Sequence, residues 1–284
     1  MNGMTYANRR TVLAGLAGAA LSATVLDTLT ASPAHAADQY TSNTDLYTKL
    51  AGQEGSVFAR RYRRHEMVDV SDGQRHPFNR TTIMALHGGG IEGGTSELCL
   101  AIAGYHPATL AAAPAGGPAY DYWMFEGIAP SGNGDLHVTS THNDDRVALS
   151  MAAGSLNVLS LHGCRKEQAG TPAGEPEAVV VGGLNTTFKT YLHEEFQAAG
   201  FRTIDGSTVP ALAGENPENI CNKTLLRQGA QLEMTTELRQ GLFDAGHFSR
   251  LERPTHTNER FTVFVGAARR AIARLEARSE QAVL

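Results

Sequence analysis

Cysteine is scarce in this chain of 284 residues: three in all, Cys99, Cys164 and Cys221, with no C-x-x-C pair. That excludes a disulfide framework and a thiolate zinc site. Two arrangements stay open, a Cys164–Cys221 bridge, favoured because both flank candidate site residues, and three buried thiols. Basic charge is also short. Lysine and arginine number 24 against 29 acidic residues, a net charge of −5. Nucleic-acid binding needs a basic face, so that class of partner is not expected. Beyond the first 36 residues no apolar run is long enough to span a bilayer, which argues against stable membrane association. The nucleophile elbow G-x-S-x-G is missing too. Only Ser96 has a glycine two residues before it, and Leu98 replaces the second glycine. A serine esterase is thereby disfavoured, although "HGGG" at 87–90 is the kind of loop that supplies an oxyanion hole.

Residues 1–36 read as a leader. Arg9 and Arg10 precede the apolar "TVLAGLAGAALSATVL", and Ala34 and Ala36 give a small-x-small cleavage pattern. This predicts twin-arginine export and a secreted protein. Residues 37–284 then suit one domain with a substantial core, expected to be a monomer.

Strand-length apolar runs alternate with helical patterns along that domain. "TTIMAL" (81–86), "SLNVLSL" (155–161), "EAVVVGG" (177–183) and "AQLEM" (230–234) read as strands. Shorter runs, "YDYWMFEG" (120–127) and "DLHVTST" (135–141), suggest antiparallel strands at one side. Helices are expected over 95–105 with Thr95 as N-cap, over 185–200 ending at Gly200, and over 258–280. The segment 37–56 is polar and packs at the surface as a strand or helix. Alternation of this kind predicts an α/β domain with a mixed, largely parallel central sheet flanked by helices.

Two strands end alike: Leu86-His87-Gly88 and Leu161-His162-Gly163. Ligands of open α/β sheets gather outside the carboxyl ends of the strands. Glycine after each histidine leaves room for a sharp turn. Glu92 follows His87 across a glycine turn and can fold back. Two imidazoles and one carboxylate, with a position left for water, are a common catalytic zinc set. Hydrolysis also needs a proton acceptor. Glu233 is the best placed, because an acid between Leu232 and Met234 in a short apolar strand is costly unless it faces a site. The competing reading is an edge-strand residue facing solvent. Glu237 is a weaker candidate at the surface, and Glu97 suits the first turn of a helix on dipole grounds alone.

Taken together, "HGGGIEGGTSEL", "LHGC", "VVVGGLN", "NICNK" and "GAQLEM" resemble the poly-γ-glutamate hydrolase family, from about Ile83 to Gly241. The resemblance implies a metallocarboxypeptidase-like fold and one Zn2+ held by His87, Glu92 and His162. It implies Glu233 as the carboxylate that activates water, and cleavage of γ-glutamyl amide bonds. Ordinary metallocarboxypeptidases space their first two ligands as His-x-x-Glu; here four residues intervene. "HVTSTHNDD" (137–145) is also similar to the family, with structural support expected of His142 and Asp144. A polymer with one α-carboxylate per residue asks for local cations. Asn222 and Arg227 are the first candidates to bind substrate, followed by Arg165 and Lys223. Two alternatives stay open: a zinc amidase acting on cell-wall γ-glutamyl peptides, and a non-enzymic module that binds an anionic polymer.

Overall fold

The structure, a computed structural model, describes residues 38–65, 81–114 and 117–281. The export leader expected over 1–36 lies outside them. Among the described residues no helix is long and apolar enough to cross a membrane.

Among the described residues seven strands form one sheet: β1 (Phe58–Arg63), β2 (Thr81–Gly89), β3 (Asp121–Gly127), β4 (Asn157–Cys164), β5 (Val179–Gly182), β6 (Thr203–Asp205) and β7 (Ala230–Thr235). Their order is β1-β3-β2-β4-β7-β5-β6. β3, β2, β4 and β7 run parallel, while β1 opposes β3 and β5 opposes β7. The mixed, largely parallel sheet expected from the sequence is therefore present. The run at 120–127 is a strand, but it pairs in parallel with β2 as well as antiparallel with β1, so it lies inside the sheet.

The helices that accompany the sheet among the described residues are α1 (Asn43–Lys49), α2 (Thr95–Ala103), α3 (Arg146–Ala153), α4 (Lys166–Ala169), α5 (Thr186–Ala198), α6 (Thr236–Gly241) and α7 (Glu259–Glu276). Alternation along the strands decides which helices cover which face. Ile83, Ala85, Leu159, Leu161, Val179, Val181 and Leu232 pack under α2, α5 and α7, against Leu98, Phe188, Leu192, Phe264 and Ile272. Met84, Leu86, Trp123, Phe125 and Val158 meet Leu46 of α1 and Met151 of α3 on the other face. Burying each such side chain contributes roughly 1.5–3 kcal/mol, so the continuous apolar runs of the inner strands hold the two helical layers on.

Three local expectations are corrected. The N-cap of α2 is Gly94 at φ +99°, a conformation that favours glycine, and the Thr95 hydroxyl donates instead to the Glu92 carbonyl at 2.9 Å. Residues 135–141 form no strand. They carry two short 3-10 turns, Asn133–Leu136 and Ser140–His142, because the backbone between them is used elsewhere. The Val138 carbonyl accepts from His87, and the Thr139 N–H donates to Asp38. Finally, the three cysteines are free and buried. Cys164 packs with Ala169, Val180 and Leu212, whereas Cys221 packs with the separate cluster around Trp123 and Val158, so the favoured bridge gives way to the other arrangement left open, three buried thiols. Burial pushes all three thiols up, which makes them inert packing groups.

Candidate metal centre

His162 lies near the end of β4, on the face that carries Val158 and Ser160. His87 lies near the end of β2, where strict alternation would send it to the opposite face with Ile83 and Ala85. The pairing of β2 with β3 shifts register between Ala85 and Gly88. That irregularity inserts a residue and turns His87 across, a recognised use of a bulge beside a site. Glycine is required in the turn that follows. Gly89 sits at φ +65°, and a Cβ there would fall 2.4 Å from the Gly127 carbonyl oxygen. The turn brings Glu92 back: its N–H donates to the His87 carbonyl at 2.9 Å.

Three donor atoms converge as a result. His87 Nδ1 is 3.1 Å from Glu92 Oε1 and 3.2 Å from His162 Nδ1, and His162 Nδ1 is 4.0 Å from Glu92 Oε2. All three side chains are buried. Their outer atoms are anchored. A carbonyl can only accept, so His87 Nε2–H donates to Val138 O at 2.9 Å and Nδ1 faces the site with its lone pair. His162 Nε2 is 2.7 Å from Ser160 Oγ. Glu92 Oε2 accepts from the Gly163 N–H at 2.8 Å. Lewis bases turned towards one another, each with its far side fixed, are what a divalent cation requires. Among the described residues these three form the group whose donor atoms all lie within 4.8 Å of one another. Two nitrogens, one carboxylate oxygen and no thiolate suit zinc, and three protein donors leave a position for water. The residues present therefore fit the ion.

The electrostatics agree. Burial alone would raise the Glu92 carboxyl, but His87 first, then His162 and His137, hold it down at about 2. Burial would lower His87, and Glu92 outweighs it to leave the imidazole above its ordinary value. Glu233 behaves oppositely. Burial and then the Glu92 charge raise it well above the ordinary glutamate value, with Arg239 opposing. Glu233 is no edge residue. β7 lies between β4 and β5, and the side chain is 7% exposed. Its Oε1 accepts from Gln231 Nε2 at 3.2 Å, while its Oε2 is buried with no hydrogen-bond partner.

The substrate-binding candidates are distributed unevenly. Arg165 is exposed and follows the end of β4, three residues after His162. Asn222, Lys223 and Arg227 are not brought to the cluster. They line a groove with Ala153, Pro217 and Glu218, beside Gly229 at the start of β7. Asn222 is consumed by backbone: its Oδ1 accepts from Leu184 and Gly229, and its Nδ2 donates to the carbonyls of Gly214 and Asn216. Lys223 pairs with Glu218 at 3.1 Å, and Arg227 is an exposed turn residue at φ +56°. The loop that carries them precedes β7, and the strand then carries the chain on to Glu233.

Several further residues belong to the site, and the sequence reading passed over them. His137 stacks on His87 with ring centroids 3.9 Å apart. Burial, then the neighbouring His87, holds it down at about 4. It opens the stretch "HVTSTHNDD", whose His142 and Asp144 the sequence puts forward for structural support. Asp144 supports structure, accepting from the Thr44 N–H at 2.8 Å. Arg239 is buried and donates to the Met234 carbonyl at 3.2 Å, the Gly93 carbonyl at 2.7 Å and Thr236 Oγ1 at 3.2 Å. Arg253 donates to the Gly89 carbonyl at 2.6 Å and pairs with Glu97 at 3.2 Å. Glu97 lies in the first turn of α2, as expected, and is also half of a buried ion pair. Glu237 stays at the surface with Lys166, 3.1 Å away.

A family model described as poly-gamma-glutamate hydrolase matches residues 62–267. UPF0714 protein YndL of Bacillus subtilis (strain 168) is 37% identical over 182 residues, which cover 64% of this chain and 63% of that protein. The SPbeta prophage-derived UPF0714 protein YoqZ of the same organism is 33% identical over 165 residues, 58% of this chain and 52% of that protein. The chain thus spans less than two thirds of either relative. A solved structure of a bacteriophage poly-gamma-glutamate hydrolase matches with a TM-score of 0.66 and 26% identity, over 84% of this chain and 98% of the other. YNDL in a zinc-free apo form matches with a TM-score of 0.66 and 30% identity, over the same shares.

Proposed function

The chain belongs to the poly-gamma-glutamate hydrolase family, and from that premise we propose that it is a zinc-dependent hydrolase of the γ-glutamyl amide bonds of poly-γ-glutamate. One observation carries the reading: three convergent Lewis bases, His87 Nδ1, His162 Nδ1 and a Glu92 oxygen, share a strand end with a buried carboxylate whose Oε2 has no partner. His87, Glu92 and His162 would hold one Zn2+. When bound, the ion supplies Lewis acidity to the scissile carbonyl and to water.

The chain's own residues do the rest. Glu233 takes a proton from the attacking water and gives it to the departing amine. Its raised proton affinity suits that work, since an acceptor must also be a donor within one turnover. Gly163 N–H and the anchored Nε2 atoms hold the three donors in place, so little reorganisation is needed during reaction. Arg239 fastens the glycine loop at Gly93 to the end of β7 at Met234, keeping Glu92 and Glu233 in one frame. Arg165, exposed beyond His162, is placed to meet an α-carboxylate of the polymer. Export through the twin-arginine leader is part of the same proposal and rests on the sequence of residues 1–36.

The test is incubation with poly-γ-glutamate, read as polymer length on a gel. Metal-free protein should be inactive, and added zinc should restore shortening. Full activity after exhaustive chelation would sink the zinc reading. Intact polymer alongside cleaved γ-glutamyl peptides would move the substrate to cell-wall material.

A further inference from the structure

Two side chains outside the three-donor set bear directly on the ion's site. His137 Nδ1 is 2.7 Å from Asp38 Oδ1. A carboxylate accepts, so Nδ1 carries the proton and Nε2 is the ring's basic nitrogen. Nε2 is turned towards Glu92 Oε1, 3.9 Å away. The ring itself lies against His87, tilted by 32°. Asp38's second oxygen accepts from the Thr139 N–H at 2.7 Å. One carboxylate therefore fixes both the imidazole and the backbone that carries it. Both side chains are largely buried, with 15% and 14% exposed.

We propose that Asp38 and His137 form a supporting arm of the metal centre, positioning His87 and Glu92 and tightening the protein's hold on zinc. The inference rests on the zinc reading of His87, Glu92 and His162. Groups that pack on or hydrogen-bond to metal ligands fix their orientation and tune the hold on the ion. His137 stands outside the group of three whose donors lie within 4.8 Å of one another, so it acts through its neighbours. Its ring forms a wall that keeps His87 aimed inwards. The next residue, Val138, takes the His87 Nε2 proton, and Ser140 Oγ lies 3.4 Å from His162 Nε2. Residues 137–140 thus touch both imidazoles, and Asp38 is the clasp on that segment.

Zinc affinity, measured on the full-length protein by competition with a chromophoric chelator, tests the arm. His137→Ala and Asp38→Ala should each loosen zinc by about 10–100-fold. Asp38→Asn should lose less, because an amide oxygen still accepts from Nδ1. The visible spectrum of the cobalt-substituted protein should shift in His137→Ala, which a purely structural role would not produce. Circular dichroism in excess zinc checks folding, and Asp38→Ala decides by the same criterion if His137→Ala does not fold. Folded variants with wild-type zinc affinity and cobalt spectrum would overturn the proposal. His87→Ala separates the two levels. If it too retains zinc, the three-donor reading fails; if it alone loses zinc, only the arm fails.

Discussion

His162 and Glu233 are register partners on neighbouring parallel strands, β4 and β7. Partners in a parallel pair project to the same face, with strands about 4.8 Å apart. An imidazole of the metal set and the buried carboxylate therefore stand side by side by virtue of the ladder alone. Neither depends on a loop for its position.

Glu233→Gln follows from that pairing. The amide keeps the shape but cannot take a proton. Turnover of poly-γ-glutamate should fall by about 10²–10⁴-fold, while zinc content, measured by metal analysis, stays at the wild-type level. Loss of zinc together with activity would make Glu233 a ligand instead.

The two carboxyls set opposite pH dependences in the metal-free protein. Glu233 is raised by burial and Glu92, so the folded state binds its proton more tightly than the unfolded state. Its effect is a loss of stability as pH rises above the ordinary glutamate value. Glu92 is held at about 2 by His87 and its neighbours, so its contribution is present above the ordinary value and is lost as pH falls towards about 2. Thermal melts in chelator across pH should show both limbs, and Glu233→Gln should flatten the first alone.

Arg253 and Glu97 form a buried pair behind the glycine loop, each side chain 5% exposed or less. Arg253→Met leaves a buried carboxyl without its cation and frees the Gly89 carbonyl. The expected cost is about 3–5 kcal/mol in urea unfolding. Adding Glu97→Gln should recover part of it, giving a measurable coupling between the two positions.

Gly163 has no room for a side chain. A Cβ there would lie 2.5 Å from Arg239 Cζ. Gly163→Ala should cost about 1–3 kcal/mol through overpacking and weaken zinc binding by displacing the N–H that Glu92 accepts. Gly134→Ala, where a Cβ meets nothing within 4 Å, is the control and should leave both measurements unchanged.

Much of the fold was legible because apolar runs at strand and helix periods report burial directly. β2, β4, β5 and β7 fell where "TTIMAL", "SLNVLSL", "EAVVVGG" and "AQLEM" placed them. The repeated Leu-His-Gly ending pointed to His87 and His162, since a polar residue closing an apolar strand marks the strand's carboxyl end. Asn222, Lys223 and Arg227 line a groove before β7, because sequence distance from Glu233 says nothing about which end of β7 a loop occupies. The segment 135–141 alternates like a strand, yet its backbone groups are taken by His87 and Asp38.

The sequence by itself determined the alternation of strands and helices and the residue types able to hold a cation. These depend on local pattern and composition. Only the tertiary structure decided that the bulge in β2 turns His87 to meet His162, that β7 lies beside β4, and that Asp38 reaches His137 across a sequence separation of 99. Those contacts join segments far apart along the chain, and strand order and side-chain direction are settled by packing that no single segment encodes.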